Sequence, residues 1–338
     1  MEAAKSHCLR IDVMNRRHLL KSGLAALSAA ALPAPAFAYP DKTIRLIVPF
    51  SPGGATDVAA RLWAEKMKNG LGTVVVENKG GGGGAIGAAE VARSQPDGHT
   101  FVFGNTSTQV LIPSLLEKPP YDPMKDFQGV YMVCLSPTCI VVHESVPVKT
   151  LSELIAYAKA NPTKLSYGSA GTGTMTNLSG ELFKQLIGVK SITHIPYKGA
   201  APGIADLASG HIPMMTPNLG GPLLDFHRTG KVRILAIASQ TRIKAAPDIP
   251  TAIEAGLPGM VAANFNGLFA PAGTPKPILD KITGLTRTAM ADEALQKTLI
   301  ASGFEPIADS GPEAAQKMVV DELTRWKPIM KETGFKIE

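Results

Sequence analysis

From Tyr39 onward the chain alternates short apolar runs rich in β-branched residues with stretches whose apolar positions recur at helical spacing. Ile44–Phe50 reads as a buried first strand, and the helix after it places Ala59, Leu62, Trp63 and Met67 on one face. Further strands are expected at 73–76, 100–103, 139–142, 164–167, 192–195, 212–215, 232–238 and 267–270. Helices fit between them, most clearly at 151–161 and at 178–187, where Leu178, Leu182, Phe183 and Leu186 share a stripe. This alternation predicts an α/β protein with mainly parallel sheets covered by helices.

No Gly/Ser linker divides the chain into two consecutive domains. The runs at 139–142 and 267–270 are each followed by a proline-containing turn, His143–Pro147 and Pro271–Pro275. Two such crossings suggest a middle lobe inserted into an outer one, with a cleft between. The expected division is 39–142 with 263–338 for the first lobe and 143–262 for the second.

With 338 residues, 18% of them charged and 45% hydrophobic, the chain has material for a substantial core. Residues 14–38 read as an export signal: Arg16-Arg17 precede an alanine-rich apolar run, and Ala36-Phe37-Ala38 has the small-x-small form of a cleavage site. The paired arginines and weak hydrophobicity fit a twin-arginine (Tat) signal, and an ordinary secretory signal remains open. Cleavage after Ala38 is expected, and the location is periplasmic.

The whole chain carries a formal charge of +6. Five of its 34 basic and two of its 28 acidic residues fall within 1–38, which leaves 29 against 26, or +3. That mild excess, with no basic cluster interleaved with aromatics, argues against nucleic acid as a partner. After the signal only Cys134 and Cys139 remain, flanking a Leu-Ser-Pro-Thr turn. A small-loop disulfide and two buried thiols both fit, and the thiols are favoured.

Two glycine-rich loops follow predicted strands and precede predicted helices: Phe50-Ser51-Pro52-Gly53-Gly54-Ala55-Thr56-Asp57 and Gly168-Ser169-Ala170-Gly171-Thr172-Gly173-Thr174. Glycine lets the backbone turn sharply, and the helix that follows aims unpaired N–H groups and its positive dipole end at the same point. Such a site suits a carboxylate, and ordinary strand-to-helix turns have the same composition. Asp57 fits either a dipole-favouring helix start or a group that orients a ligand.

Tests for catalysis are mostly negative. Gly82 to Gly87 formally matches G-x-G-x-x-G, but Glu77-Asn78-Lys79 separate it from the preceding strand and no acidic residue ends the next one. Ser169 sits in Tyr-Gly-Ser-Ala-Gly, without the glycine two places earlier that a nucleophile elbow needs. No zinc-protease, C-x-x-C or P-loop motif occurs, and His194 and His211 read as structural. No catalytic residue, metal ligand or cofactor is assigned.

The chain resembles the Bug, or TctC-type, solute receptors of tripartite tricarboxylate transport systems from about Tyr39 to its end. The resemblance rests on Ile47–Gly54 with Asp57, Glu77–Lys79 with the glycine run, Pro96–Thr100, Tyr121–Pro123, Leu165–Ser169, His194–Gly199, Ile249–Thr251 with Glu254–Gly259, and Leu268–Pro275. It implies a type II periplasmic-binding-protein-like fold, two α/β lobes joined by two crossing segments with the ligand cleft between them. It also implies that backbone groups of the two glycine loops hold one ligand carboxylate. Asn177, Pro217 (before Asn218), Phe265 and Asn266 stand where the family often has other residues.

The expectation is a non-enzymatic periplasmic receptor, a monomer that delivers a small carboxylate to membrane permease subunits or to a sensor. Its candidate contacts are residues 50–57, Ser169, Ala170, Gly171, Thr172, Gly173, Thr174, Asn177, Tyr197, Asn218 and Phe265. The alternatives are an exported oxidoreductase using a nucleotide cofactor and an exported hydrolase using Ser169.

Overall fold

The computed structural model describes residues 39–332, 334 and 335, so the expected export signal at 1–38 lies outside the described residues. Among the described residues eleven strands fall into two sheets. The first is six-stranded in the order β11 (Glu305–Pro306), β4 (Phe127–Pro137), β10 (Ala263–Pro271), β3 (Thr100–Asn105), β1 (Ile44–Val48), β2 (Val74–Asn78), and the second five-stranded in the order β7 (Thr193–Pro196), β6 (Ser166–Ser169), β8 (Met214–Met215), β5 (Cys139–His143), β9 (Val232–Ile237).

In the first sheet β1 (Ile44–Val48) lies parallel to both β2 (Val74–Asn78) and β3 (Thr100–Asn105). Helix α1 (Ala55–Leu71) connects β1 to β2, and α2 (Ala85–Ala92) connects β2 to β3. A π-helical turn at Ser107–Leu111 and the short α3 (Ile112–Leu115) follow β3. The long β4 (Phe127–Pro137) pairs antiparallel with β10 (Ala263–Pro271), which is antiparallel to β3 as well. Helices α8 (Lys276–Met290) and α9 (Glu293–Ala301), strand β11 (Glu305–Pro306) and α10 (Pro312–Glu332) complete this part.

The second sheet contains β5 (Cys139–His143), β6 (Ser166–Ser169), β7 (Thr193–Pro196), β8 (Met214–Met215) and β9 (Val232–Ile237). Helices α4 (Leu151–Ala160), α5 (Met175–Ile187), α6 (Ala200–Ala208) and α7 (Gly221–Arg228) lie between its strands in sequence. Helix α4 starts where Thr150 Oγ1 accepts from the Glu153 N–H at 3.2 Å and Glu153 accepts from the Lys149 N–H at 2.6 Å. Thr150 thus caps the helix, while Glu153 reaches back one residue beyond the N-cap. Successive residues of β5 face opposite sides of the sheet. Ile140 and Val142 join a core with α4 and α5, while Cys139 and Val141 join one with α6 and α7.

The expected mainly parallel sheets are both mixed, because the chain leaves the first sheet along β4 and returns beside it along β10. The crossings also lie elsewhere than expected. A single residue, Thr138, separates β4 from β5, so 139–142 belongs to the second sheet rather than the first. Likewise 267–270 is the interior of β10. At the changeover the Thr138 N–H donates to Ala262 O at 2.8 Å, Ala238 donates to Thr138 O at 2.8 Å, and Ala262 donates to Ala238 O at 2.9 Å. Leu135–Thr138 is therefore extended chain and not a turn. Cys134 and Cys139 are separate, fully buried thiols, and burial pushes both thiol pKa values up.

Candidate ligand-binding site

The two glycine loops meet where the two sheets face each other, and their backbones repeat one geometry. Gly53 (φ 81°) and Gly173 (φ 80°) both take the left-handed conformation, which glycine adopts without a Cβ penalty. The next residues, Gly54 (φ −74°, ψ 163°) and Thr174 (φ −79°, ψ 164°), are extended N-caps, and α1 and α5 begin one residue later. At the third helical position in each case a side chain accepts from the glycine N–H: Asp57 Oδ2 from Gly53 at 2.9 Å and Asn177 Oδ1 from Gly173 at 3.0 Å.

Each acceptor is held in turn. Asp57, 2% exposed, accepts from Arg61 Nε at 2.9 Å and from Asn78 Nδ2 at 2.8 Å, and that Asn78 amide also reaches Phe50 O at 3.0 Å. The Asp57 hydrogen bond raises the Arg61 pKa above its ordinary value. Asn177 Nδ2 donates to the Tyr167 hydroxyl at 2.7 Å, and that hydroxyl donates to Glu181 at 2.7 Å. Burial pushes the Tyr167 hydroxyl well up, and Glu181 adds to the shift.

A second tie steadies the second loop. Ser169 Oγ lies 2.7 Å from His194 Nε2 and accepts from the Gly171 N–H at 3.1 Å. The His194 ring stacks on Tyr167 with centroids 4.9 Å apart. Burial lowers the His194 pKa to about 4, so the imidazole is neutral at ordinary pH.

Between the loops lies an inner pocket of about 20 Å³, lined by Phe50, Gly54, Ala55, Thr56, Asn105, Ser107, Ala170, Thr174, Thr176, Ala200 and Asn218. No charged side chain is among them. The N–H groups of a first helical turn lack intrahelical partners, so the starts of α1 and α5 supply donors here. Two of the first-turn donors of α5 are already taken, Met175 N by Ser107 Oγ at 3.0 Å and Asn177 N by its N-cap Thr174 Oγ1 at 3.3 Å. Asn218 Oδ1 is buried without a partner. The volume holds about one water, so an organic acid enters only when the loops separate.

Phe50 and Ala170 also line an outer cavity of about 300 Å³, with Gly80–Ala85, Leu116, Gly171, Thr172 and Pro196–Gly199. The glycine run that formally matched a dinucleotide fingerprint is its wall. A Cβ on Gly83 would stand 2.8 Å from Thr172 O on the opposite loop, a contact that only glycine permits.

Of the residues expected at the site, Phe50, Gly54, Ala55, Thr56, Ala170, Thr174 and Asn218 line the inner pocket. Gly171, Thr172 and Tyr197 line the outer cavity. Ser51, Pro52, Gly53, Asp57, Ser169, Gly173 and Asn177 line neither, and several of them hold the loops from behind. Phe265 lines neither cavity. It is 1% exposed, packs with Phe269 at a centroid distance of 6.4 Å, and belongs to the hydrophobic core. Asn105, Ser107, Thr176 and Ala200 were missed. The first two follow the carboxyl end of β3, where ligands of open α/β sheets gather, so that rule was the available signal.

The sequence profile described as "Tripartite tricarboxylate transporter family receptor" matches residues 59–335. The chain belongs to this receptor family. Protein BugT of Bordetella pertussis is 34% identical over 315 residues, 93% of this chain and 96% of that one. The structure of the periplasmic binding protein BugD superposes with a TM-score of 0.83 at 35% identity, covering 89% of this chain and 100% of BugD. MatC from Rhodopseudomonas palustris with bound malate gives 0.81 at 33% identity, covering 86% and 99%. Rpa4515 of R. palustris with adipate gives 0.84 at 34% identity, covering 88% and 99%. The protein thus shares the two-sheet fold of the family's solute-binding receptors.

Proposed function

We propose that this receptor captures a small organic carboxylate between its two glycine loops in the periplasm, without catalysing a reaction. The observation that carries the reading is the inner pocket, where the starts of α1 and α5 face each other with no charged side chain between. A carboxylate there is met by backbone N–H groups and hydroxyls, which favour negative charge at helix starts. The malate and adipate bound by structurally similar proteins support the same ligand class.

The proposed lobes are 39–138 with 263–338, and 139–262, with Thr138, Ala238 and Ala262 at the changeover. Their separation opens the inner pocket, and ligand contacts to both loops bias the closed form. The closed receptor, acting as a single copy, presents its cargo to permease subunits or to a sensor. Export through the signal at 14–38 places it in the periplasm. Among the described residues no helix is long and apolar enough to cross a membrane.

Against a serine hydrolase, Ser169 is fully buried and lines neither cavity, so its hydroxyl, 2.7 Å from His194 Nε2, has no open path to a substrate. The test is a thermal-shift screen of residues 39–338 with mono-, di- and tricarboxylates, aromatic acids, acidic amino acids, NAD and flavins. A ligand at 100 times its Kd stabilises the fold by about 2.7 kcal/mol. A shift with a carboxylate is expected, whereas a shift with a nucleotide cofactor alone overturns the proposal.

A further inference from the structure

The equivalent side chains at the two helix starts do not line either cavity, yet each is buried and fully engaged. We infer that Asp57 and Asn177 are paired positioning residues. Each holds the amide of the glycine four residues earlier, so that the first-turn N–H groups of α1 and α5 face the inner pocket. The inference rests on the reading of these loops as the carboxylate site.

Three observations carry it. The glycine, cap and helix-start conformations of the two loops agree within a few degrees although the sequences, Gly-Gly-Ala-Thr-Asp and Gly-Thr-Met-Thr-Asn, differ at three of five positions. Both acceptors satisfy the same N–H, at 2.9 and 3.0 Å. Both are at most 3% exposed and line neither cavity.

The neighbours also explain why one position carries a carboxylate and the other an amide. Asp57 is surrounded by donors alone: the Gly53 N–H, Arg61 Nε and Asn78 Nδ2. An amide there sets its own NH2 against one of them. Asn177 has one donor, the Gly173 N–H, and one reversible partner, the Tyr167 hydroxyl. That hydroxyl accepts from the amide while it donates to Glu181, and it can instead turn its proton toward a carboxylate at 177. An acceptor is therefore needed at both positions, and amide and carboxylate are interchangeable only at 177.

The test uses 15N-labelled residues 39–338, free of ligand and then titrated with acetate. In Asp57→Leu the Gly53 amide proton moves upfield and exchanges faster with solvent, while that of Gly173 stays. Asn177→Leu does the reverse. Each substitution raises the acetate dissociation constant roughly tenfold or more, the effect of losing a hydrogen bond that orders the donors. If the leucine variants do not fold, Asp57→Asn and Asn177→Asp decide by the amide signals. The former keeps its oxygen on the Gly53 N–H and Arg61 and sets its NH2 against Asn78 Nδ2, so the Asn78 side-chain amide signals move, and the latter leaves Gly173 hydrogen-bonded.

Folded leucine variants with unmoved glycine signals overturn the inference, as does acetate affinity retained when the signals move. A loss of affinity with the glycine signals in place means direct ligand contact and overturns it too. If acetate leaves the unsubstituted protein unchanged, the carboxylate reading fails, while the glycine signals still decide the clamps.

Discussion

Replacing a helical glycine with alanine has opposite consequences in two helices of this protein. Gly180 sits inside α5, and a Cβ built there stands 2.1 Å from Tyr167 Cε2 and 2.4 Å from Cζ. Carbon atoms in contact need about 3.5–4.0 Å, so the ring or the helix must yield by roughly 1.5 Å. The ring has little room. Tyr167 is fully buried, stacked on His194, and tied at its hydroxyl to Asn177 and Glu181. Overpacking of this kind costs about 1–3 kcal/mol, against a gain of about 0.5–1 kcal/mol in helix propensity and chain entropy. Gly180→Ala is therefore expected to be destabilising by about 1–2 kcal/mol. Gly284 in α8 is exposed and would meet nothing within 4 Å. Gly284→Ala keeps the whole gain and is stabilising by about 0.5–1 kcal/mol. Thermal unfolding of both variants beside the parent checks this, with midpoints moving a few degrees down for the first and up for the second. A rise for Gly180→Ala refutes the packing argument, because it means that Tyr167 yields at little cost.

Three further outcomes are expected. Thiol titration of the native mature chain should find neither cysteine and of the denatured chain both, because buried thiols with raised pKa values are unreactive; one fast native thiol contradicts the burial. The folded-state pKa of His194 lies below its unfolded value of about 6.5, so the stability from its neutral form is present above pH 6.5 and is lost as pH falls toward about 4. Melting temperature in His194→Gln should accordingly fall less steeply between pH 7 and 4.5 than in the parent, and equal slopes would exclude this source. Gly83→Val puts a β-branched side chain at a left-handed backbone position, against the buried Ile112 side chain and Thr172 O, so it should weaken carboxylate binding at least tenfold and also lower the melting temperature of the ligand-free protein by a few degrees; unchanged affinity would mean that the loops need not approach there.

Much of the architecture was legible because it rests on local chemistry. β-branched runs marked β1, β3, β5, β7 and β9, and the stripe at 178–187 marked α5. The glycine loops were visible as well, since a sharp turn between strand and helix needs residues that tolerate positive φ. Strand pairing was not visible. The continuous apolar run of β4 has no alternation to betray it, being buried on both faces, and its antiparallel partner β10 lies 126 residues away between Pro137 and Ala263. Asp57, Asn177 and Phe265 show the same limit at the site. Asp57 fitted either a helix-dipole or a ligand role and the resemblance put Asn177 and Phe265 near the cleft, yet the tertiary structure turned the two polar residues behind the loops and sank Phe265 into the core. Periodicity and turn chemistry are properties of neighbouring residues, so one chain segment carries them. Which donor faces which acceptor depends on segments brought together only by folding, and that decided the working face of the cleft.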